Sequence, residues 1–231
     1  MARLPRLSLA GELHHVLLRG HPAQTVFGDP MDRDAFVEML RQALPSVGVA
    51  AHAYVLVPGE AHLLATPAQH DSLGRLMQSL GRRFGAAFNR RHGCQGAVWD
   101  GRFRCSVLEA DRHLMEATVL VENLPVRAGL AARAQEWRWS SAPHHLGQLR
   151  DSLITEHSLH WTLGNTPFER ERAHAHLLEL GLDSAATERL ELAVRRSHAL
   201  GSEAFLARIA AVSGRRLAPR ARGRPRSRPA T

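Results

Sequence analysis

The chain of 231 residues contains no lysine: all 30 of its basic residues are arginine. It has two cysteines, Cys94 and Cys105, which supply neither a disulfide framework nor a zinc-finger set. It has one tyrosine, Tyr54, so any chemistry that needs a phenol has a single candidate. No apolar run reaches the roughly 18–20 residues of a membrane span, and the N-terminal stretch lacks the apolar core of a signal peptide. A soluble cytoplasmic protein with no membrane partner is expected. With 44% hydrophobic and 23% charged residues, the composition excludes wholesale disorder.

What is present is positive charge, unevenly placed. The net charge is +8. Seven arginines and no acid fall between Arg215 and Arg228, and without them the chain is within one charge of neutrality. A second concentration runs from Gly74 to Arg104, where seven arginines face Asp100 alone. Two basic segments, one patterned for folding and one a Pro/Gly-rich tail, point to a polyanionic partner.

Hydropathy gives the order of elements. His14–Arg19 reads as a strand, and Phe36, Val37, Leu40 and Leu44 carry the period of a helix opened at Pro30 and stopped near Pro45 and Gly48. Val49–Val57 and Ala61–Thr66 are strands around the tight turn Pro58-Gly59-Glu60. A long helix follows from about Asp71 to Arg91, with Leu73, Leu76, Met77, Leu80, Phe84 and Phe88 on one face. After a glycine-rich loop holding Trp99 come a strand, Arg102–Leu108, and a helix, Asp111 to about Val121. This order predicts an α+β domain over residues 1–130, a ferredoxin-like antiparallel sheet with helices on one face. A helical region is expected over 131–213, with helices near Phe168–Leu180, Ser184–Leu200 and Glu203–Val212, and then a disordered Arg-rich tail over 214–231.

Strand alternation places Glu60 and His62 on the same sheet face, with Cβ atoms about 6–7 Å apart, close enough to share an ion. A carboxylate and an imidazole suit Mg²⁺ or Mn²⁺, although two ligands are few. By spacing alone, a turn glutamate beside a partly buried histidine explains the pair as well. The 15 histidines are otherwise scattered, and neither His14-His15 nor His144-His145 reads as a metal set.

The stretch from His52 to Pro67 resembles the signature of the REP-associated tyrosine transposases, single-tyrosine members of the HUH superfamily, whose motif here is Pro-Asn-His-apolar-His-Leu-Leu. The resemblance extends through Leu76–Arg83, Phe88–Arg91, Trp99–Arg104, Pro125–Gly129 and Trp137–Ser141. It implies DNA transposition by a mobile-element family that recognises palindromic repeats as single-stranded hairpins. Two histidines would hold a divalent ion against the scissile phosphate, and a tyrosine would attack it. This chain departs from the pattern at the chemistry. Glu60 replaces the first histidine and Gly59 the preceding asparagine, whereas His62 is kept. The tyrosine position, five residues before Pro125, is Leu120, and the asparagine before that proline is replaced by Leu124, with Asn123 one residue earlier.

Sequence therefore predicts a DNA-binding protein of that lineage that does not cleave, the alternative being an active metal-dependent transposase or nickase using Glu60 and His62. The DNA-contact set is Arg82, Arg83, Arg90, Arg91, Arg102 and Arg104, with Trp99 and Phe103 placed to stack on unpaired bases. In the tail, Arg222, Arg224 and Arg226 lie in an Arg-Gly-Arg-Pro core that resembles an AT-hook, a plain basic tail being the competing reading. Tyr54 and Trp99 each have a simpler reading as core residues.

Overall fold

A computed structural model describes residues 7–214; the tail arginines Arg222, Arg224 and Arg226 lie outside the described residues. The chain runs β1 (Leu13–Arg19), α1 (Pro30–Val47), β2 (Val49–Val57), β3 (Glu60–Pro67), α2 (Ser72–His92) and β4 (Arg104–Leu108). These strands form one antiparallel sheet in the order β2-β3-β1-β4, the βαββαβ topology of a ferredoxin-like fold. There follow α3 (Ala110–Glu122), α4 (Leu124–Arg127), α5 (Ala142–His145), α6 (Pro167–Leu180), α7 (Ser184–Arg196) and α8 (Glu203–Ser213).

Helix α1 starts where the Asp29 side chain accepts the Asp32 backbone N–H, with Pro30 in the first turn, whose N–H would be unpaired anyway. It stops near Pro45 and Gly48, as expected. Pro45 is exposed in the last turn, and the helix ends three residues later at Gly48, whose φ of 64° suits glycine. Phe36, Leu40 and Leu44 of α1, together with Leu73, Leu76, Leu80, Phe84 and Phe88 of α2, cover one sheet face over Val16, Leu18, Tyr54, Leu56 and Leu63.

The second face is covered as well, by residues from later in the chain. Leu114, Ala117, Leu120 and Val121 of α3 and Leu190 of α7 pack against Leu13, Ala53, Val55, Val57 and Leu64. A bulge between Ala51 and Ala53 switches β2 between the two layers. Both sheet edges are also occupied. Along β2, Leu56 donates its N–H to Trp139 O at 2.9 Å and Ser141 donates to Tyr54 O at 3.0 Å. Along β4, Leu200 donates to Val107 O and accepts from Glu109, both at 2.9 Å. The edge groups that would template pairing with another chain are thus satisfied internally.

Candidate functional site

The two-residue turn Pro58-Gly59 starts β3 so that Glu60 and His62 project from the second face, as alternation requires. His62 Nε2 lies 3.2 Å from Glu60 Oε2, and His62 Nδ1 lies 2.9 Å from His15 Nε2 on β1. The other Glu60 oxygen meets two guanidinium groups, Arg19 Nε at 3.1 Å and Arg195 Nη1 at 3.3 Å. Burial alone would raise the Glu60 pKa. The His62 hydrogen bond and the charges of Arg195 and Arg19 outweigh it, and the carboxyl stays below its ordinary value.

The His15 pKa lies well below the ordinary value, first through full burial and then through His62 and Arg195. A neutral His15 donates from Nε2 to His62 Nδ1, which leaves His62 Nε2–H to donate to Glu60. This chain of bonds engages both nitrogens of His62. Glu60 is already neutralised by two arginines, and His62 is only 5% exposed beneath α7. Two ligands, one of them so paired, make a poor divalent-ion site. They fit a buried ion-pair node that fastens α7 to the sheet.

Leu120 is buried in the apolar layer between α3, α7 and the sheet. Tyr54 lies in the opposite core, beneath α1 and α2, and donates its hydroxyl to Asp151 Oδ2 at 2.7 Å. Burial and the Asp151 charge push its pKa far above that of a free phenol, so it is held protonated. Asn123 is turned to α6, where its Nδ2 donates to Leu178 O at 2.9 Å, and Leu124 packs at the margin of the second layer.

The arginine set divides. Arg82, Arg90 and Arg102 are exposed and form no ion pair among the described residues. Arg83 is exposed but donates to Gln42 Oε1 at 2.7 Å. Arg91 is committed to the fold, bonded to Asp29 and Asp32 at 2.6 Å each, tying α2 to α1. Arg104 lies on the second face, where its guanidinium is bonded to the Arg195 carbonyl. That bond gives its guanidinium a structural role in seating α7.

Trp99 likewise joins the core. Its ring packs 5.5 Å from Phe84 and 6.0 Å from Phe27 and Phe36, and its indole N–H is buried. That arrangement favours core packing over base stacking. Phe103 is also partly buried against the first core. Beside Trp99, a groove of about 420 Å³ runs between α2 and the following loop, lined by Arg82, Asn89 and the backbone of Gly81, Gly85, Gly96 and Gly101.

A cluster the sequence did not reveal lies at the junction of α3, α5 and α6. Fully buried Glu122 accepts from Ser141 Oγ, from His145 Nδ1 at 2.6 Å and from His174 Nε2 at 2.7 Å. Burial would raise the Glu122 pKa, but its two imidazole partners hold it well below the ordinary value. Next to it, Glu156 bonds His160 Nδ1 at 2.7 Å and His144 Nε2 at 3.2 Å. His145, which the sequence did not mark as part of a set, converges with Glu122 and His174. Residues this far apart share no spacing motif. Their sole local signal is the pattern of α6, whose one buried residue is a histidine.

No protein-family model matches the chain, and no curated protein matches it. Among solved structures, it is similar to a REP-associated tyrosine transposase bound to a REP hairpin. The two share 16% identity over 68% of this chain and 96% of the other, with a TM-score of 0.48. A protein from Deinococcus radiodurans R1, described by name as a transposase, aligns at 22% identity over 51% of this chain and 92% of its own, with a TM-score of 0.36.

Proposed function

We propose that this protein binds single-stranded or hairpin DNA through the exposed face of α2 and the loop that follows, and that it belongs to the REP-associated tyrosine transposase lineage without retaining strand cleavage. Arg82 borders a groove floored by glycine backbone, Arg90 and Arg102 flank it, and no acid among the described residues neutralises them. Guanidinium groups around a backbone-lined groove suit a sugar–phosphate chain, with specificity left to a few base contacts. Domestication of a DNA-handling scaffold into a binding module accounts for the kept arginines and the altered motif together.

The observation that carries the non-cleaving part is the placement of Tyr54. The sole phenol and His62 point from opposite faces of the sheet, so no tyrosyl oxygen can attack a phosphate held at His62. The test is to incubate the protein with end-labelled hairpin, linear single-stranded and duplex oligonucleotides in Mg²⁺ or Mn²⁺. We expect hairpin or single-stranded DNA to bind more tightly than duplex, with no product on a denaturing gel. A detergent-resistant adduct, or a nick abolished by His62→Ala, overturns the reading in favour of an active nickase. Equal affinity for all three oligonucleotides overturns the hairpin preference.

A further inference from the structure

We propose that Glu122, His145 and His174 form a structural zinc site that fastens α6 to the body of the protein. Each offers one ligand atom, all lie within 4.8 Å of one another, and all three residues are buried. A carboxylate with two imidazoles is a donor set that Zn²⁺ accepts readily. The present contacts of 2.6 and 2.7 Å are hydrogen-bond distances. The two contacts run to different oxygens of Glu122, so an ion enters by displacing the imidazole protons from them, with a water as the fourth ligand of the tetrahedron.

Two buried atoms with no partner support the site: His174 Nδ1 and His160 Nε2. Their rings lie 5.4 Å apart. Without a metal, His174 donates from Nε2 to Glu122, and His160 donates from Nδ1 to Glu156. Both remaining nitrogens are then bare acceptors and cannot satisfy each other. Ligation through Nε2 moves the His174 proton to Nδ1 and turns that nitrogen into a donor on the ring beside the His160 acceptor. Glu156 lies within 4.8 Å of a His145 ring nitrogen, so that ring also has a carboxylate beside it. Metal-bound histidines characteristically carry such outer partners.

The need for a fastener is also evident: α6 buries only His174, whereas its Phe168 and Leu180 are exposed. A metal supplies stability where the apolar contacts are few.

The competing occupant is a proton, which would also make His174 Nδ1 a donor. Chelator-treated full-length protein is therefore titrated with Zn²⁺ by calorimetry, and with Co²⁺ for its visible spectrum. We expect one ion per chain, tetrahedral cobalt absorption, and slower amide exchange across Pro167–Leu180 when zinc is present. His174→Gln keeps a donor for Glu122 but is a poor ligand, and should weaken binding by more than about 100-fold, whereas Glu156→Gln should cost about 10–100-fold. His62→Gln should leave the affinity unchanged. Failure of the wild type to bind zinc, unchanged exchange in α6, or loss of the ion in His62→Gln each overturns the proposal. The wild-type measurements decide the matter even if His174→Gln does not fold.

Discussion

Replacing Arg82, Arg90 and Arg102 together with glutamine tests whether the exposed face of α2 contacts DNA. All three are exposed and lack an ion pair among the described residues, so the change leaves the fold almost untouched, within about 0.5 kcal/mol per site. Binding should respond strongly. Each phosphate neutralised contributes about 0.7 to the slope of log K against log salt on single-stranded DNA. If all three arginines sit on phosphates, the slope flattens by about 2. Between about 50 and 200 mM salt, the wild type then loses about 20-fold more affinity than the variant. Fluorescence anisotropy with a labelled hairpin at four or five salt concentrations gives the slope directly. The matched control changes Arg112, Arg133 and Arg189, which lie off α2 and are paired with Glu109, Glu136 and Glu116. Charges beyond the Debye length of about 8–10 Å are screened, so the control should shift the slope by well under 1. An equal shift in both triple variants would refute local contact and leave only the bulk charge of the chain.

Leu190→Ala should destabilise the protein by about 2–5 kcal/mol in urea unfolding, because Leu190 is fully buried and fixes α7 on the second sheet face; a loss under 1 kcal/mol would contradict that role. His14 and His52 should make the protein acid-sensitive between about pH 6.5 and pH 4. Each pKa is lowered to about 4, chiefly by burial, and each ring is bonded as a neutral imidazole, His14 between Glu12 O and Leu9 N–H and His52 between Thr155 O and the Thr66 hydroxyl. The unfolded chain binds more protons in that window, so stability falls as pH falls, by up to roughly 3 kcal/mol per histidine. Unfolding midpoints that stay level from pH 7 to pH 4.5 would refute this. Glu60→His with Leu120→Tyr should not restore cleavage of a hairpin in Mn²⁺, and Glu60→His alone should lower the unfolding midpoint; a cleaving double variant would show the second face to be open.

The sheet and its first helical layer were legible because they are written in local periodicity. The stripe from Leu73 to Phe88 places α2 within a residue of its observed ends, and alternation along β3 puts Glu60 beside His62 without knowledge of the rest. Pro45 fits inside the last turn of α1 because a proline in an exposed last turn forfeits one hydrogen bond and no packing, and Gly48 makes the stop. The fate of individual arginines was not legible. Arg91 and Arg90 are neighbours in sequence, yet one meets two aspartates of α1 and the other meets solvent. Trp99, for which sequence left both base stacking and the core open, is drawn over three phenylalanines by the bridge between Gly20 and Trp99. The Glu122 cluster joins positions up to 52 residues apart, and the Arg195–Glu60 pair joins positions 135 apart. Neither leaves a local pattern, because what unites them is the docking of later helices onto the sheet.

Glu60, Leu120 and the seating of α7 make one consistent packing arrangement. A histidine at position 60 would stand between Arg19 and Arg195 with no negative charge to offset them. Glu60 supplies that charge, which lets the end of α7 settle on the sheet. With α7 in place, Leu190 fills the space above β1, β3 and α3, and the position of Leu120 becomes apolar. A tyrosine there would be overpacked, and its hydroxyl would be buried in a layer of leucine and valine. A phosphate could reach His62 only if α7 were displaced. Glu60, Leu120 and the seating of α7 therefore support one another, and reverting any one of them alone strains the other two.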